Sequence, residues 1–214
     1  MERLITFEGI EGCGKTTQIR MAGDFLGQRR VPFIITAEPG GSALGNRIRE
    51  ILLNRGPYEI NAEAEVFLFM AARAQHVRET IIPALSDDKL VLCDRFSDAT
   101  QAYQGFGRGL DSDFIRQINV FASASLKPAM TILFDLPAEE GLGRARKRIA
   151  LNGKEASAED RFEQETLEFH RNIREGYLSL AHEEPERFRI IDGSRDISAV
   201  HREVCAHLEA FING

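Results

Sequence analysis

Residues 9–16 read Gly-Ile-Glu-Gly-Cys-Gly-Lys-Thr, the spacing G-x-x-x-x-G-K-[ST]. An apolar run, Leu4-Ile5-Thr6-Phe7, leads into it, and a helix-like stretch opens at Lys15. A glycine-rich turn between a strand and a helix N-terminus aims backbone N–H groups at one point, and the helix end adds partial positive charge. That arrangement cradles phosphates. Its backbone would face the α- and β-phosphates, Lys15 would reach the β/γ oxygens, and Thr16 would offer a hydroxyl to Mg²⁺. The strand–loop–helix context also commits the chain to an α/β fold.

The rest of the pattern agrees. Strand-like apolar runs recur at 3–8, 31–37, 89–93, 129–135 and 187–191, with helical periodicity between them. Strands alternating with helices predict a five-stranded parallel sheet flanked by helices on both faces, a phosphate-loop NTPase fold in a single domain over 1–214. One helical face is predicted from Phe162, Phe169, Ile173, Tyr177 and Leu180, another from Ile197, Val200, Val204, Leu208 and Phe211. The polar segment 151–159 interrupts the pattern and reads as a mobile loop between two helices. With the arginines before it, it makes a helical lid over about 144–160.

Composition narrows the class. The net charge of −6 argues against a nucleic-acid surface, and no apolar run is long enough for a membrane span. No secretory signal is evident at the N-terminus. Cys13, Cys93 and Cys205 form neither a disulfide framework nor a metal pattern, so a cytoplasmic setting is expected.

Five further motifs bear on chemistry. Leu90-Val91-Leu92-Cys93 ends in Asp94-Arg95. A carboxylate at the carboxyl end of a strand is where a phosphate-loop enzyme places a metal-side Asp, and the guanidinium fork beside it suits a phosphate. Glu38-Pro39-Gly40-Gly41-Ser42 follows the second strand; Ser42 is a candidate cap for a helix near Ala43 that carries Arg47 and Arg49. Phe69 and Arg73 lie four apart on one helix face, where a ring stacks on a base and a guanidinium bonds its edge; Phe67 reads as core. Thr100-Gln101-Ala102-Tyr103-Gln104 supplies hydrogen-bonding groups and a ring, and Gly105, Gly107 and Gly109 predict a pliable loop after it. Arg144, Arg146, Lys147 and Arg148 sit just before the lid segment, where arginines can neutralise a transferring phosphoryl group.

On these residues the chain resembles the bacterial thymidylate kinases, of the nucleoside monophosphate kinase group. The marks are Phe7–Thr17, Glu38–Ser42, Phe69 with Arg73, Asp94-Arg95, Thr100–Gly105 and Asp160-Arg161-Phe162-Glu163. The resemblance implies transfer of the γ-phosphoryl of ATP to dTMP. By similarity Gly9, Ile10, Glu11, Gly12, Cys13, Gly14, Lys15, Thr16 and Thr17 hold ATP, with Arg144, Arg146 and Arg148 from the lid. Thr16 and Asp94 serve Mg²⁺, Asp94 through water. Glu11, Glu38, Pro39, Arg49, Phe69, Arg73, Arg95, Thr100, Gln101, Tyr103 and Gln104 line the dTMP side. Arg95 grips the acceptor phosphate, Glu11 faces the sugar near its 3′-hydroxyl, and Lys15, Arg95, Arg148 and Glu11 form the catalytic set. The phosphate loop carries no second basic residue, which matches the style in which lid arginines assist; Arg148 is the first choice. The resemblance also implies a homodimer. The competing classes are a kinase for another monophosphate and a GTPase switch; the latter needs an Asn-Lys-x-Asp motif that the sequence lacks.

Overall fold

The five apolar runs become strands β1 (Leu4–Glu8), β2 (Phe33–Ala37), β3 (Leu90–Asp94), β4 (Met130–Asp135) and β5 (Phe188–Asp192). The computed structural model describes residues 3–54, 58–152 and 161–213. All strand pairs are parallel, in the order β2-β3-β1-β4-β5. The central strands read as near-continuous apolar runs because helices cover both faces; Leu4, Ile5, Phe7, Val91, Leu92, Ile132 and Phe134 are all buried. The register pairs Phe7 and Ala37 with Asp94 and Glu8 with Leu133. The carboxyl ends of β1, β2 and β3 therefore finish level, and Glu8, Glu38 and Asp94 gather along one edge.

Helices α1 (Lys15–Gln28), α2 (Ala43–Leu53), α3 (Ala62–His76), α4 (Ile82–Ser86), α5 (Ser97–Thr100), α6 (Ser112–Ala122), α7 (Ala138–Asn152), α8 (Leu167–Glu183) and α9 (Ile197–Asn213) complete the layers. Local chemistry starts several of them. Gly14 takes the left-handed conformation (φ 97°) ahead of α1. The Ser42 hydroxyl accepts from the Gly45 N–H at 3.0 Å, Asn61 caps α3 at 2.8 Å, and Thr166 caps α8 at 3.1 Å. Residues 77–81 and 101–107 are wider π-helical turns that prolong α3 and α5.

Four expectations are corrected. Phe162 does not share a helix with Phe169: it lies in a 3₁₀ turn (Phe162–Gln164), because the Thr166 cap starts α8 afresh. The two rings still stack, 6.4 Å apart, so the apolar face is assembled across a break. Phe67 is not core; it is 56% exposed and meets the edge of Phe114, because α3 turns Val66 and Met70 inward instead. The glycines after Gln104 do not make a pliable loop. Gly105 and Gly107 are helical, and a Cβ on Gly107 would lie 2.8 Å from the Phe169 ring, so this glycine permits close packing on α8; only Gly109 has positive φ (72°). The outward Ile197 on α9 departs from the predicted face in the same way as Phe67. Of the predicted mobile lid, residues 153–160 lie outside the described residues; the rest is the end of α7.

The phosphate loop is braced from α7. A Cβ on Gly141 would lie 2.6 Å from the Glu11 carbonyl oxygen and 2.7 Å from Ile10 Cδ1, whereas one on Gly143 would meet nothing within 4 Å. Gly141→Ala is therefore expected to lose about 1–3 kcal/mol from overpacking. Gly143→Ala, two residues on in the same helix, should gain roughly 0.5–1 kcal/mol. Urea unfolding of both variants checks this; equal midpoints would show that α7 does not press on the loop.

Candidate active site

The aligned strand ends open onto a cleft of about 720 Å³. Its floor is the phosphate loop. Lys15 is buried, and its ammonium donates to the carbonyl oxygens of Gly9 (2.9 Å) and Ile10 (2.8 Å) and lies 3.4 Å from Cys13 Sγ. The charge is thus carried on the inner side of the loop. Thr16, the first hydroxyl of α1, donates to Asp94 Oδ2 at 3.2 Å, which links the loop to the end of β3. Both are oxygen donors at the cleft wall, where Mg²⁺ typically takes one carboxylate and completes its shell with water and phosphate. Their chemistry fits that ion.

Glu11, inside the loop, is the centre of the charge network. Burial alone would raise its pKa, but Arg95, His170, Lys15 and Tyr103 together outweigh burial and hold the carboxyl well below the usual range. Arg95 Nη2 donates to Glu11 Oε1 at 3.0 Å, the Tyr103 hydroxyl donates to the same oxygen, and His170 Nδ1 lies 3.2 Å from Oε2. Arg95 also donates to the Gly9 carbonyl (3.2 Å) and to the Tyr177 hydroxyl (3.3 Å), with its guanidinium 4.7 Å from the centre of the Tyr103 ring. Its backbone is left-handed at φ 69°. That conformation costs about 1–2 kcal/mol for a residue with a Cβ. The Cys93 thiol donates to its carbonyl at 3.0 Å, and the next N–H, Phe96, donates to Glu8 Oε1 at 2.7 Å.

A second cluster lies along the wall built by β2, α3 and α5. Arg73 is 1% exposed. It donates to Glu38 Oε2 (2.7 Å), Thr100 Oγ1 (3.0 Å), the Asn119 side-chain oxygen and the Phe96 carbonyl (2.9 Å). His76 Nδ1 meets the other Glu38 oxygen at 2.9 Å, and its Nε2 meets Thr36 at 2.7 Å. A Cβ at position 41 would clash with this imidazole, which explains the second glycine of Gly40-Gly41. Half-buried Phe69 shares the wall and packs toward Phe162. Arg49 lines the cleft from α2 and donates to the Pro39 carbonyl at 3.0 Å.

The structure gathers most of the sequence-predicted residues around this cleft: Glu11, Gly12, Gly14, Lys15, Thr16, Thr17, Glu38, Pro39, Arg49, Phe69, Arg73, Asp94, Arg95, Thr100, Tyr103, Gln104, Arg144 and Arg148. Gly9, Ile10 and Cys13 lie beneath as its support. Gln101 is not brought in; it is buried with its amide 3.4 Å from the Ser112 carbonyl. Arg146 points away from the cleft, because two residues along a helix is about half a turn from the face that Arg144 and Arg148 share. Arg144 is tied to the Gly193 carbonyl at 2.9 Å, and Arg148 donates to Glu163 at 3.2 Å. Burial first, and then the charge of Glu11, raise the Glu163 pKa.

Sequence reasoning missed Glu8, His170, Glu163 and the hydroxyl of Tyr177 as parts of the site. Tyr177 looked like core because its ring is core; only its oxygen reaches Glu8 (2.7 Å) and Arg95. Nothing in the spacing marks His170, which α8 delivers from 159 residues beyond Glu11.

A phosphate loop, a strand-end Asp-Arg pair and a walled acceptor side in one cleft define a phosphate-loop phosphotransferase. Residues 7–204 match the family model described as thymidylate kinase. The chain is 60% identical over 209 residues to the thymidylate kinase of Syntrophus aciditrophicus (strain SB), covering 98% of this chain and 95% of that one. It is 51% identical to that of Desulfosudis oleivorans (strain DSM 6200 / JCM 39069 / Hxd3), covering 96% and 95%. The crystal structure of thymidylate kinase from Ehrlichia chaffeensis superposes with a TM-score of 0.75 at 31% identity, covering 96% and 97%. The chain belongs to the thymidylate kinase family.

Glu8 gives the site a pH signature. Burial first, and then the nearby negative charge of Asp98, push its carboxyl up to about 8 against the weaker pull of Arg95, Tyr177 and the Phe96 N–H. A folded-state pKa above the unfolded value contributes stability that is complete below about 4.5 and is lost as pH rises through about 8. Glu8→Gln is expected to flatten the fall in unfolding free energy between about pH 5 and pH 8. Urea titrations at several pH values test this; a variant that keeps the parental slope would show that Glu8 is ionised throughout.

Proposed function

We propose that the chain transfers the γ-phosphoryl group of ATP to dTMP, giving dTDP and ADP. The observation that carries this reading is the Glu11–Arg95–Tyr103 contact. A residue of the nucleotide loop is bound directly to residues of the acceptor wall, so donor and acceptor meet in one space. Phosphoryl transfer requires alignment and neutralised charge more than a strong base, and a monophosphate brings an oxygen that is already ionised.

The residues divide the work accordingly. Lys15 and the loop N–H groups hold the transferring phosphates. Arg95, anchored by Glu11 and Tyr177, holds the acceptor phosphate in line with them. Arg144 and Arg148 bring positive charge from α7, and among the described residues Arg148, itself more than half exposed, has Glu163 to leave when it turns inward. Thr16 and Asp94, the latter through water, would hold Mg²⁺, which would supply positive charge that neutralises the phosphates. Phe69 stacks on the base, Arg73 bonds its edge, and Tyr103 packs against the sugar that Glu11 faces.

A cytoplasmic homodimer completes the proposal. Among the described residues no helix is long and apolar enough to cross a membrane. Phe67 on α3 and Phe114 and Phe121 on α6 are 56%, 45% and 86% exposed, and Phe67 touches Phe114. An apolar patch of this kind suits a second copy of the chain better than water.

Two measurements follow. ADP release with dTMP, dUMP, UMP, CMP and AMP should favour dTMP, and a preference for AMP would overturn the reading. In the same assay Arg148→Ala should lower kcat by about 10²-fold or more with dTMP binding retained, whereas Arg146→Ala should change it less than about threefold. Phe121→Asp should shift the chain toward monomer in sedimentation; an unchanged mass would place the interface elsewhere.

A further inference from the structure

Two half-buried arginines and one buried glutamine converge on Glu65, a fully buried carboxylate in the first turn of α3. Gln104 Nε2 donates to its Oε1 at 2.8 Å, Arg108 Nε and Nη2 donate to its two oxygens at 3.2 Å each, and Arg161 Nη2 donates to Oε2 at 2.6 Å. Glu65 does not line the cleft, but Gln104 does. An ionised carboxylate only accepts hydrogen bonds. The orientation of the Gln104 amide follows from that fact: its NH₂ must turn outward to Glu65, and its carbonyl oxygen is left. Among the described residues nothing donates to Gln104 Oε1.

Arg73 shows the complementary situation. A guanidinium has five N–H groups. Four are committed, to Glu38, Thr100, Asn119 and the Phe96 carbonyl, which leaves one, on Nη2. Thr100, which holds Arg73, lies one helical turn before Gln104. The wall therefore presents one donor and one acceptor, both locked from behind. A pyrimidine imide edge offers the opposite pair, a C4 carbonyl and an N3–H. Cytosine reverses both, with an exocyclic NH₂ and an unprotonated N3.

We propose that Glu65 is the specificity-positioning residue of this site: by fixing the Gln104 amide it makes the acceptor pocket read the imide edge of thymine or uracil and reject the edge of cytosine. The inference rests on the dTMP kinase reading. Uracil shares the edge and differs by a methyl group, so Glu65 bears on dTMP against dCMP and not on dTMP against dUMP.

The test is Glu65→Gln. A glutamine at 65 can donate or accept, so the Gln104 amide is free to turn over. The dTMP:dCMP ratio of kcat/KM should fall at least about tenfold, since a site built on a fixed donor–acceptor pair loses its discrimination when the pair is no longer fixed. The dTMP:dUMP ratio should stay within about twofold of the parent's. A purely structural role would slow all three substrates alike and leave both ratios unchanged, which would overturn the proposal. Arg108→Lys loosens the same cluster but leaves Glu65 an acceptor; if it lowers the dTMP:dCMP ratio as much, the proposal is also overturned. Should Glu65→Gln fail to fold, the exchange Glu65→Gln with Gln104→Glu keeps one anion among the arginines and an acceptor at 104. Retained preference for dTMP over dCMP then supports the proposal, and its loss overturns it. A parent chain without a dTMP preference removes the functional reading and this inference together; a parent with one that Glu65→Gln does not alter removes this inference alone.

Discussion

The ion pair between Glu11 and Arg95 is the contact on which the site depends. It joins the loop after β1 to the turn after β3, the two segments that must hold donor and acceptor. Burying either charge alone would be costly, and the pair is tolerated because Tyr103, Tyr177 and the Gly9 carbonyl complete hydrogen bonds to it and His170 Nδ1 lies 3.2 Å from the other Glu11 oxygen. The same contact explains the left-handed backbone at Arg95. The strain is held by Glu8 on the following N–H and by the Cys93 thiol on the carbonyl, so the guanidinium is placed by main-chain geometry as well as by its partners.

Buried carboxylates recur as the means of holding cations and amides still. Glu38 orients Arg73 and His76, Glu65 orients Gln104, Arg108 and Arg161, and Asp98 receives Arg187 through two bonds of 2.7 Å. An acceptor-only group decides which way its neighbours face. The acceptor wall is thereby rigid before any substrate arrives, and its polar groups are left with a defined remainder of donors and acceptors. The opposite side of the cleft is looser: among the described residues Arg148, on α7, pairs with Glu163 and stays more than half exposed.

Much of this was legible in the chain. The strand runs were apolar on both faces because both faces are covered, so their positions could be read within a residue or two. The phosphate loop, the Asp94-Arg95 pair and the Ser42 cap are local patterns, in which a few neighbouring residues decide the outcome. Errors arose where a distant element had the deciding contact. Phe67 looked like core, yet α3 buries Val66 and Met70. Gly105 and Gly107 looked pliable, but both are helical, and the packing of α8 made the smallness of Gly107 the reason for close contact. Of the arginines at 144, 146 and 148 the sequence put Arg148 first, but only the helix phase separated Arg146 from the two that face the cleft.

The sequence by itself determined the class of chemistry, since a loop that binds phosphates is built from consecutive backbone N–H groups and needs nothing from afar. It also determined the parallel α/β frame, through the periodicity of its apolar residues. Only the tertiary structure decided how Glu11, His170, Glu8 and Tyr177 share one charge network, and which way Gln104 turns. Those facts depend on side chains far apart in the chain meeting at distances of about 3 Å, where hydrogen bonds and ion pairs act and where no linear spacing can report them.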